Sequence, residues 1–166
     1  IQDVLITTQN KGKTTVDELA SNMGKIIPTA NSLNVSLDQL GAMYATVTAN
    51  GVATAESTTY MNSMLNELAS SSSTASKALA EAASGKTFKQ LTDEGKTVAE
   101  ILALIDANAK QSGKSMTDMF GSAEAAKAAQ ILVDKTASFN ENLIAMKDSA
   151  GAAETAAATM METLQE

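Results

Sequence analysis

Four copies of Gly-Lys followed by Ser or Thr are the residues of this chain whose types and spacing could bind a phosphate group. A phosphate-binding loop also needs a glycine five positions earlier, because successive backbone amides must wrap the phosphate. That position holds, in turn, Thr7, Ala80, Gln90 and Asn108. We therefore predict helix junctions, in which the glycine ends one helix, the lysine lies near its carbonyl ends and the hydroxyl caps the next helix. The copies are Gly12-Lys13-Thr14, Gly85-Lys86-Thr87, Gly95-Lys96-Thr97 and Gly113-Lys114-Ser115.

Two pairs of adjacent carboxylates, Asp17-Glu18 and Asp93-Glu94, could serve acid/base chemistry or bind a divalent ion. Adjacent residues point away from each other on a helix, so we expect these pairs to be solvated. Asp118 fits the third residue of a helix cap better than a calcium loop, whose alternating oxygen ligands are missing. The sequence therefore predicts no catalytic, cofactor-binding or metal-ligating residue.

The composition removes several further classes of site. The chain contains neither histidine nor cysteine, so common transition-metal sites, disulfides and histidine-based catalysis have no residues to use. The net charge is −7 and the twelve basic residues are lysines spread along the chain. A surface that reads nucleic acid normally needs a basic patch. We predict a protein that is not an enzyme, needs no cofactor and has no nucleic-acid-reading surface.

The sequence contains repeated signals for the start and the end of a helix. A Ser or Thr followed three residues later by an acid or amide is the capping box that begins a helix. Glycine ends a helix because it enters the left-handed conformation without a Cβ penalty. The predicted starts pair Thr15 with Glu18, Ser36 with Gln39, Thr97 with Glu100, Ser115 with Asp118 and Ser138 with Glu141. The stops are Gly12, Gly51, Gly85, Gly95, Gly113, Gly121 and Gly151.

These signals predict an all-α fold, an irregular multi-helix bundle of about seven to nine short helices with glycine-capped turns. Apolar residues recur at helical spacing and should form one stripe per helix, as at Leu37, Leu40, Tyr44 and Val47. The predicted helices are Val16–Leu33, Leu37–Asn50, Ala55–Ala69, Ala75–Ser84, Phe88–Glu94, Val98–Ser112, Ser122–Lys135, Phe139–Ser149 and Ala152–Leu164.

The length of 166 residues favours a single domain, residues 1–166, and a first residue other than methionine suggests a piece of a longer protein. The serine run at residues 70–73 is interpreted as a loop, with a weak subdivision near 70–74 as the alternative. No run of about 18 apolar residues predicts a membrane span. The nine methionines are interpreted mainly as core filling, and some could instead form an adaptable surface.

Three ordered motifs carry a resemblance to a known family. They are Ser36-Leu37-Asp38-Gln39-Leu40-Gly41-Ala42, Thr48-Ala49-Asn50-Gly51-Val52-Ala53-Thr54-Ala55-Glu56 and Gly113-Lys114-Ser115-Met116-Thr117-Asp118-Met119-Phe120-Gly121-Ser122-Ala123-Glu124-Ala125. With the intervening segments they resemble the core region of phage tail tape measure proteins, also called phage-related minor tail proteins, over roughly Asp3 to Met160. None of these motifs matches a catalytic site.

The resemblance implies a protein that runs inside the tail tube, sets tail length during assembly and leaves the tube when DNA is delivered. It implies tail tube and tail tip proteins and copies of the chain itself as partners. The expected location is the lumen of the virion tail, and the host cytoplasm during assembly. Two alternatives stay open: a generic helical interaction module, and a membrane-active segment released during DNA delivery.

Overall fold

In the computed structural model, which describes residues 2–149, the chain is helical throughout and those residues contain no strand. The all-α prediction is confirmed, with a few more helices than the seven to nine expected. The helices are α1 (Gln2–Lys11), α2 (Val16–Asn22), α3 (Ile27–Ser32), α4 (Leu37–Ala49), α5 (Thr54–Ala69), α6 (Thr74–Ala82), α7 (Phe88–Asp93), α8 (Val98–Gln111), α9 (Met116–Met119), α10 (Ala123–Asp134) and α11 (136–149), with a 3-10 turn at Met23–Lys25.

Most of the predicted helix starts are confirmed. The hydroxyls of Thr15 and Ser36 accept the backbone N–H groups three residues on, which satisfies amides that the first helical turn leaves unpaired. Thr97 forms the complete reciprocal box with Glu100. At the start of α9, the Ser115 N–H donates to the Asp118 carboxylate at 2.9 Å. A further box, between Thr87 and Gln90, begins α7.

The predicted start at Ser138 is wrong, because Ser138 lies inside α11. Helix α10 ends at Asp134 and the chain resumes helical structure at residue 136. The Phe139 N–H already bonds to the Lys135 carbonyl at 2.9 Å, and the Phe139 side chain is fully buried. Packing of this aromatic ring therefore sets the position of α11, and the capping pattern at Ser138 is not used.

The continuous helix predicted from Val16 to Leu33 is also wrong. In the structure, this segment of the chain is divided into α2, the 3-10 turn and α3. Pro28 has no N–H to donate to the carbonyl of Gly24, so an α-helix cannot run through it unbroken. The proline occupies the first turn of α3, where a missing N–H costs nothing.

The first helix, α1, was not predicted. Its sequence has no helix-capping signal and carries β-branched Val4, Ile6, Thr7 and Thr8. It forms against α4, with Val4 and Thr8 buried in the contact. Tertiary packing thus supplies the stability that local propensity does not.

Helix α4 lies at the centre of the bundle. Every residue from Leu40 to Thr48 is buried, although the sequence predicted one apolar stripe. Helices α1, α5 and α10 pack on it, and α11 reaches it through Asn142 and Met146. The small side chains on α4, among them Gly41, Ala42 and Ala45, let neighbours approach from several sides.

The main core is a continuous cluster of apolar side chains that extends in sequence from Leu19 to Leu143. The residues at 70–73 form a turn between α5 and α6. Methionine contributes to the core as predicted, since all seven methionines between residues 2 and 149 are buried. They are Met23, Met43, Met61, Met64, Met116, Met119 and Met146. The predicted helix Ala152–Leu164, with Met160, Met161 and Gly151, lies outside the described residues.

Candidate functional site

Three of the four Gly-Lys-Ser/Thr segments are helix junctions, as predicted. Gly85, Gly95 and Gly113 have φ of 85°, 97° and 70°, in the left-handed region. Their backbone amides are already used, because the Lys96 and Lys114 N–H groups bond at 3.0 and 2.8 Å to carbonyls of the helix that has just ended. These amides are not available to wrap a phosphate.

The first segment, Gly12-Lys13-Thr14, differs: α1 ends at Lys11, directly before Gly12, as the predicted stop requires, but the predicted hydroxyl start at Thr14 is wrong. Gly12 is not among the residues with positive φ. A Cβ at this position would stand 2.8 Å from the Ala45 Cα, so glycine is needed here for close approach to α4. The Thr14 hydroxyl bonds across to Thr54 at 2.6 Å, and Thr15 caps α2 instead.

A line of hydrogen-bonded polar groups, exposed at Glu18 and buried at Thr54, Thr58 and Tyr44, joins α2, α4 and α5. Thr54 donates to the Glu18 carboxylate at 2.8 Å, so the Thr14 hydroxyl must supply the proton in its bond to Thr54. Thr58 donates to the Thr54 carbonyl at 2.9 Å and therefore accepts from the Tyr44 hydroxyl. Burial raises the pKa of Tyr44 to about 12, and the Thr58 bond offsets only part of that rise. The phenol stays protonated at neutral pH, where its role is structural.

The second carboxylate pair lies on the surface as predicted, held in ion pairs. Asp93 accepts from Lys89 at 2.9 Å and from the Asn34 amide at 3.0 Å, while Glu94 accepts from Lys86 at 2.8 Å. Exposed pairs of this kind contribute about 0–1 kcal/mol. Among residues 2–149, no group of three acidic side chains is placed to hold a metal ion.

One buried carboxylate was not singled out by the sequence. Asp106 on α8 is 6% exposed and bonds to Lys110, one turn later, at 2.9 Å. The hydrogen bond and the charge of Asp106 raise the pKa of Lys110. The spacing of four residues between Asp106 and Lys110 is the sequence signal from which this pair could have been predicted. Its geometry is that of an ion pair that anchors the exposed lysine.

Two of the surface grooves formed by the described residues offer space for a partner. The larger, about 510 Å³, runs along α5 and is lined mainly by residues with polar side chains; within the described chain, the buried amide oxygen of Asn62 in its lining has no hydrogen-bond partner. The other, about 300 Å³, is apolar and lies beside α1, α2 and the first turn of α4. The apolar groove is lined by Leu5, Ala20, Met23, Gly24, Ile27 and Leu37. Neither groove was predicted, because each is assembled from residues distant in sequence.

No helix in the described part of the chain combines the length and the hydropathy needed to cross a membrane. The longest of helices α1 to α10 is α5, which has 16 residues.

Comparison with known proteins identifies relatives among phage tail proteins. The family model described as phage-related minor tail protein matches residues 1–121. A probable tape measure protein of Clostridium phage phiCD119 is 42% identical over 171 residues, an alignment that covers 99% of this chain and 18% of that protein. The chain thus spans less than a fifth of the length of this relative. No solved structure matches it.

Proposed function

Since the chain belongs to the phage-related minor tail protein family, we propose that it is a structural segment of a tape measure protein, occupies the tail tube and helps to set the length of the tail. The observation that carries this proposal is the 42% identity with a probable tape measure protein along 99% of the chain. The chain corresponds to a limited part of that protein, so its contribution is that of one segment among several.

The architecture supports a structural role. Its helices are joined by short junctions whose amides bond to neighbouring helix ends, and the hydroxyls of Thr54 and Thr58 are hydrogen-bonded inside the bundle. The described residues present apolar and polar grooves without a nucleophile, base and orienting partner in hydrogen-bonding sequence. Such a surface is suited to packing against other proteins.

We propose as partners the subunits of the tail tube and tail tip and further copies of the chain. The proposed location is the lumen of the virion tail, with the host cytoplasm as the site of assembly. Membership of a minor tail protein family supports a place in the tail. The groove along α5 is the surface that this proposal assigns to such contacts.

The proposal is tested by an in-frame deletion of residues 1–166 in the parent phage, with tail length measured by electron microscopy. At 1.5 Å per residue, the segment as one continuous helix would account for roughly 250 Å of tail. The compact bundle would account for much less. A shortened tail of either size supports a role in setting length, and the size of the change reports the conformation in the tail.

A matched control replaces the deleted segment with an unrelated helical sequence of 166 residues. Restored length with the control would show that the chain contributes length alone, whereas tails that stay short would show that its own surfaces are needed. Tails of full length after the deletion would exclude a role in setting length. Loss of all tails would instead place the segment at an assembly contact.

A further inference from the structure

The direction of α11 brings the chain to the mouth of the apolar groove. The Asn142 amide donates to Thr46 at 3.1 Å, and the Met146 sulfur lies 3.3 Å from where a Cβ on Gly41 would stand. Residue numbers rise from 142 to 146 along α11 while those of the contacted residues fall from 46 to 41 along α4. The two helices are therefore antiparallel. Residue 149, the last described residue of α11, therefore lies near the level of Leu37, at the start of α4.

Leu37 connects the two regions directly. Its side chain packs against the small cluster of Val4, Ala45 and Met146, and it also lines the apolar groove. The groove is about 300 Å³ in volume, and a Cβ built on Gly24 in its lining meets no atom within 4 Å. Space is therefore open near the end of the described part of α11.

The largest apolar side chains of the sequence after this point would share one face of a helix. A helix over 152–164 would place Ala153, Ala157, Met160, Met161 and Leu164 on one side, at spacings of four, three, one and three residues. From residue 149 to Met160 the chain spans roughly 16 Å as a helix and at most about 40 Å when extended. Both distances allow the apolar face to reach a groove that begins next to Leu37.

We propose that residues 152–164 dock in this apolar groove of the same chain and cover Leu5, Ile27 and Leu37. Each of these three side chains is half-buried, so a partner removes apolar surface that the described residues leave in contact with water. Met160 and Met161 supply unbranched side chains that adapt to an irregular groove. Docking would bring both ends of the sequence, α1 and residues 152–164, onto the same side of α4.

Disulfide trapping tests the proposal in the full chain of 166 residues, which has no native cysteine. Ala20, exposed on the rim of the groove, and Met160 are both replaced by cysteine. The control pairs Met160→Cys with Ala107→Cys, an exposed alanine on α8, which packs against α6 and α10. In a glutathione redox buffer, we expect the first pair to close within one chain about tenfold faster than the control.

Two further variants separate docking from simple tethering. In the Ala20→Cys/Met160→Cys background, Leu164→Asp should slow closure about tenfold, because it removes the apolar side chain from the docked face without changing the tether. Gly24→Trp fills the groove and should slow closure similarly, while Gly24→Ala should not. Equal closure rates in all these variants, or in the control pair, would overturn the proposal. Disulfides that form only between chains would overturn it in favour of a second copy as the occupant.

Discussion

At the scale of single residues, Tyr44 is the group whose chemistry the fold changes most. Its phenol is fully buried in the polar line between α4 and α5, where it donates to Thr58. Burial raises its pKa from the ordinary value of 10.0 to about 12. Below pH 10 both folded and unfolded chains keep the proton, so the shift has no effect on stability there.

Between pH 10 and 12 the unfolded chain loses the Tyr44 proton first, so the free energy of unfolding should fall with rising pH. The loss from this group should reach about 3 kcal/mol. Tyr44→Phe should cost about 1 kcal/mol at pH 8, through the lost hydrogen bond, and should show a weaker decline above pH 10. Urea denaturation of both proteins at pH 8 and pH 11.5 measures the difference. A parallel decline in the two proteins would contradict the assignment.

The glycines of this chain have different structural roles, as Gly12 and Gly24 show. A Cβ on Gly12 would stand 2.8 Å from the Ala45 Cα, whereas a Cβ on Gly24 meets nothing within 4 Å. Gly12→Ala should therefore destabilise the protein by about 1–3 kcal/mol, because α1 must move away from α4. Gly24→Ala is the matched control and should change stability by less than about 0.5 kcal/mol. Similar midpoints of thermal unfolding in the two variants would contradict the close α1–α4 contact.

At the scale of helices, the start signals differ in whether the fold uses them. Thr97 caps α8 and is bonded in both directions with Glu100. Ser138 has the same sequence pattern but lies exposed inside α11. The difference arises because α11 already begins at residue 136, and its first turn, which includes Ser138, is held against the core by the buried Phe139.

Thr97→Ala should lower the free energy of unfolding by about 1 kcal/mol, since a backbone amide at the start of α8 loses its partner. Ser138→Ala should leave stability within about 0.5 kcal/mol of the parent, because no cap is removed and alanine favours a helix interior. Equilibrium denaturation in urea compares the two. A cost at Ser138 as large as that at Thr97 would show that α11 begins later than the structure places it.

At the scale of the whole molecule, a central buried helix makes the bundle compact. With α4 covered by four neighbours, residues 2–149 should scatter X-rays with a radius of gyration of about 15 Å.

The Ser63 and Ser122 hydroxyl oxygens, on α5 and at the start of α10, are 3.3 Å apart. Cysteines at these two positions should form a disulfide in the isolated chain after a small approach of the sulfur atoms to about 2 Å.

The same pair reports the conformation inside the tail. Purified virions that carry Ser63→Cys and Ser122→Cys are oxidised, and the disulfide is measured by mass spectrometry. A segment that keeps the bundle should form it as readily as the isolated chain. A segment opened into one helix would separate these residues by roughly 90 Å and should form none. Virions with Ser63→Cys alone control for disulfides between copies, and absence of the bond in the isolated chain would contradict the α5–α10 contact.

The sequence by itself determined what depends on residues within about one helical turn of each other. Cap hydroxyls such as Thr97 and left-handed glycines such as Gly95 satisfy amides and carbonyls close by in the chain, so their patterns predicted the all-α class and most boundaries. The absence of histidine and cysteine excluded common transition-metal sites, disulfides and histidine-based catalysis. This conclusion rests on composition, which does not depend on the fold.

Only the tertiary structure decided which helices are covered and where surface remains open. Helix α1 has weak local signals and forms because Val4 and Thr8 meet Gly41, more than thirty residues away. The burial of α4 on all sides and the apolar groove beside Leu37 likewise depend on which helices become neighbours. Packing is a property of pairs distant in sequence, so no local pattern could specify it.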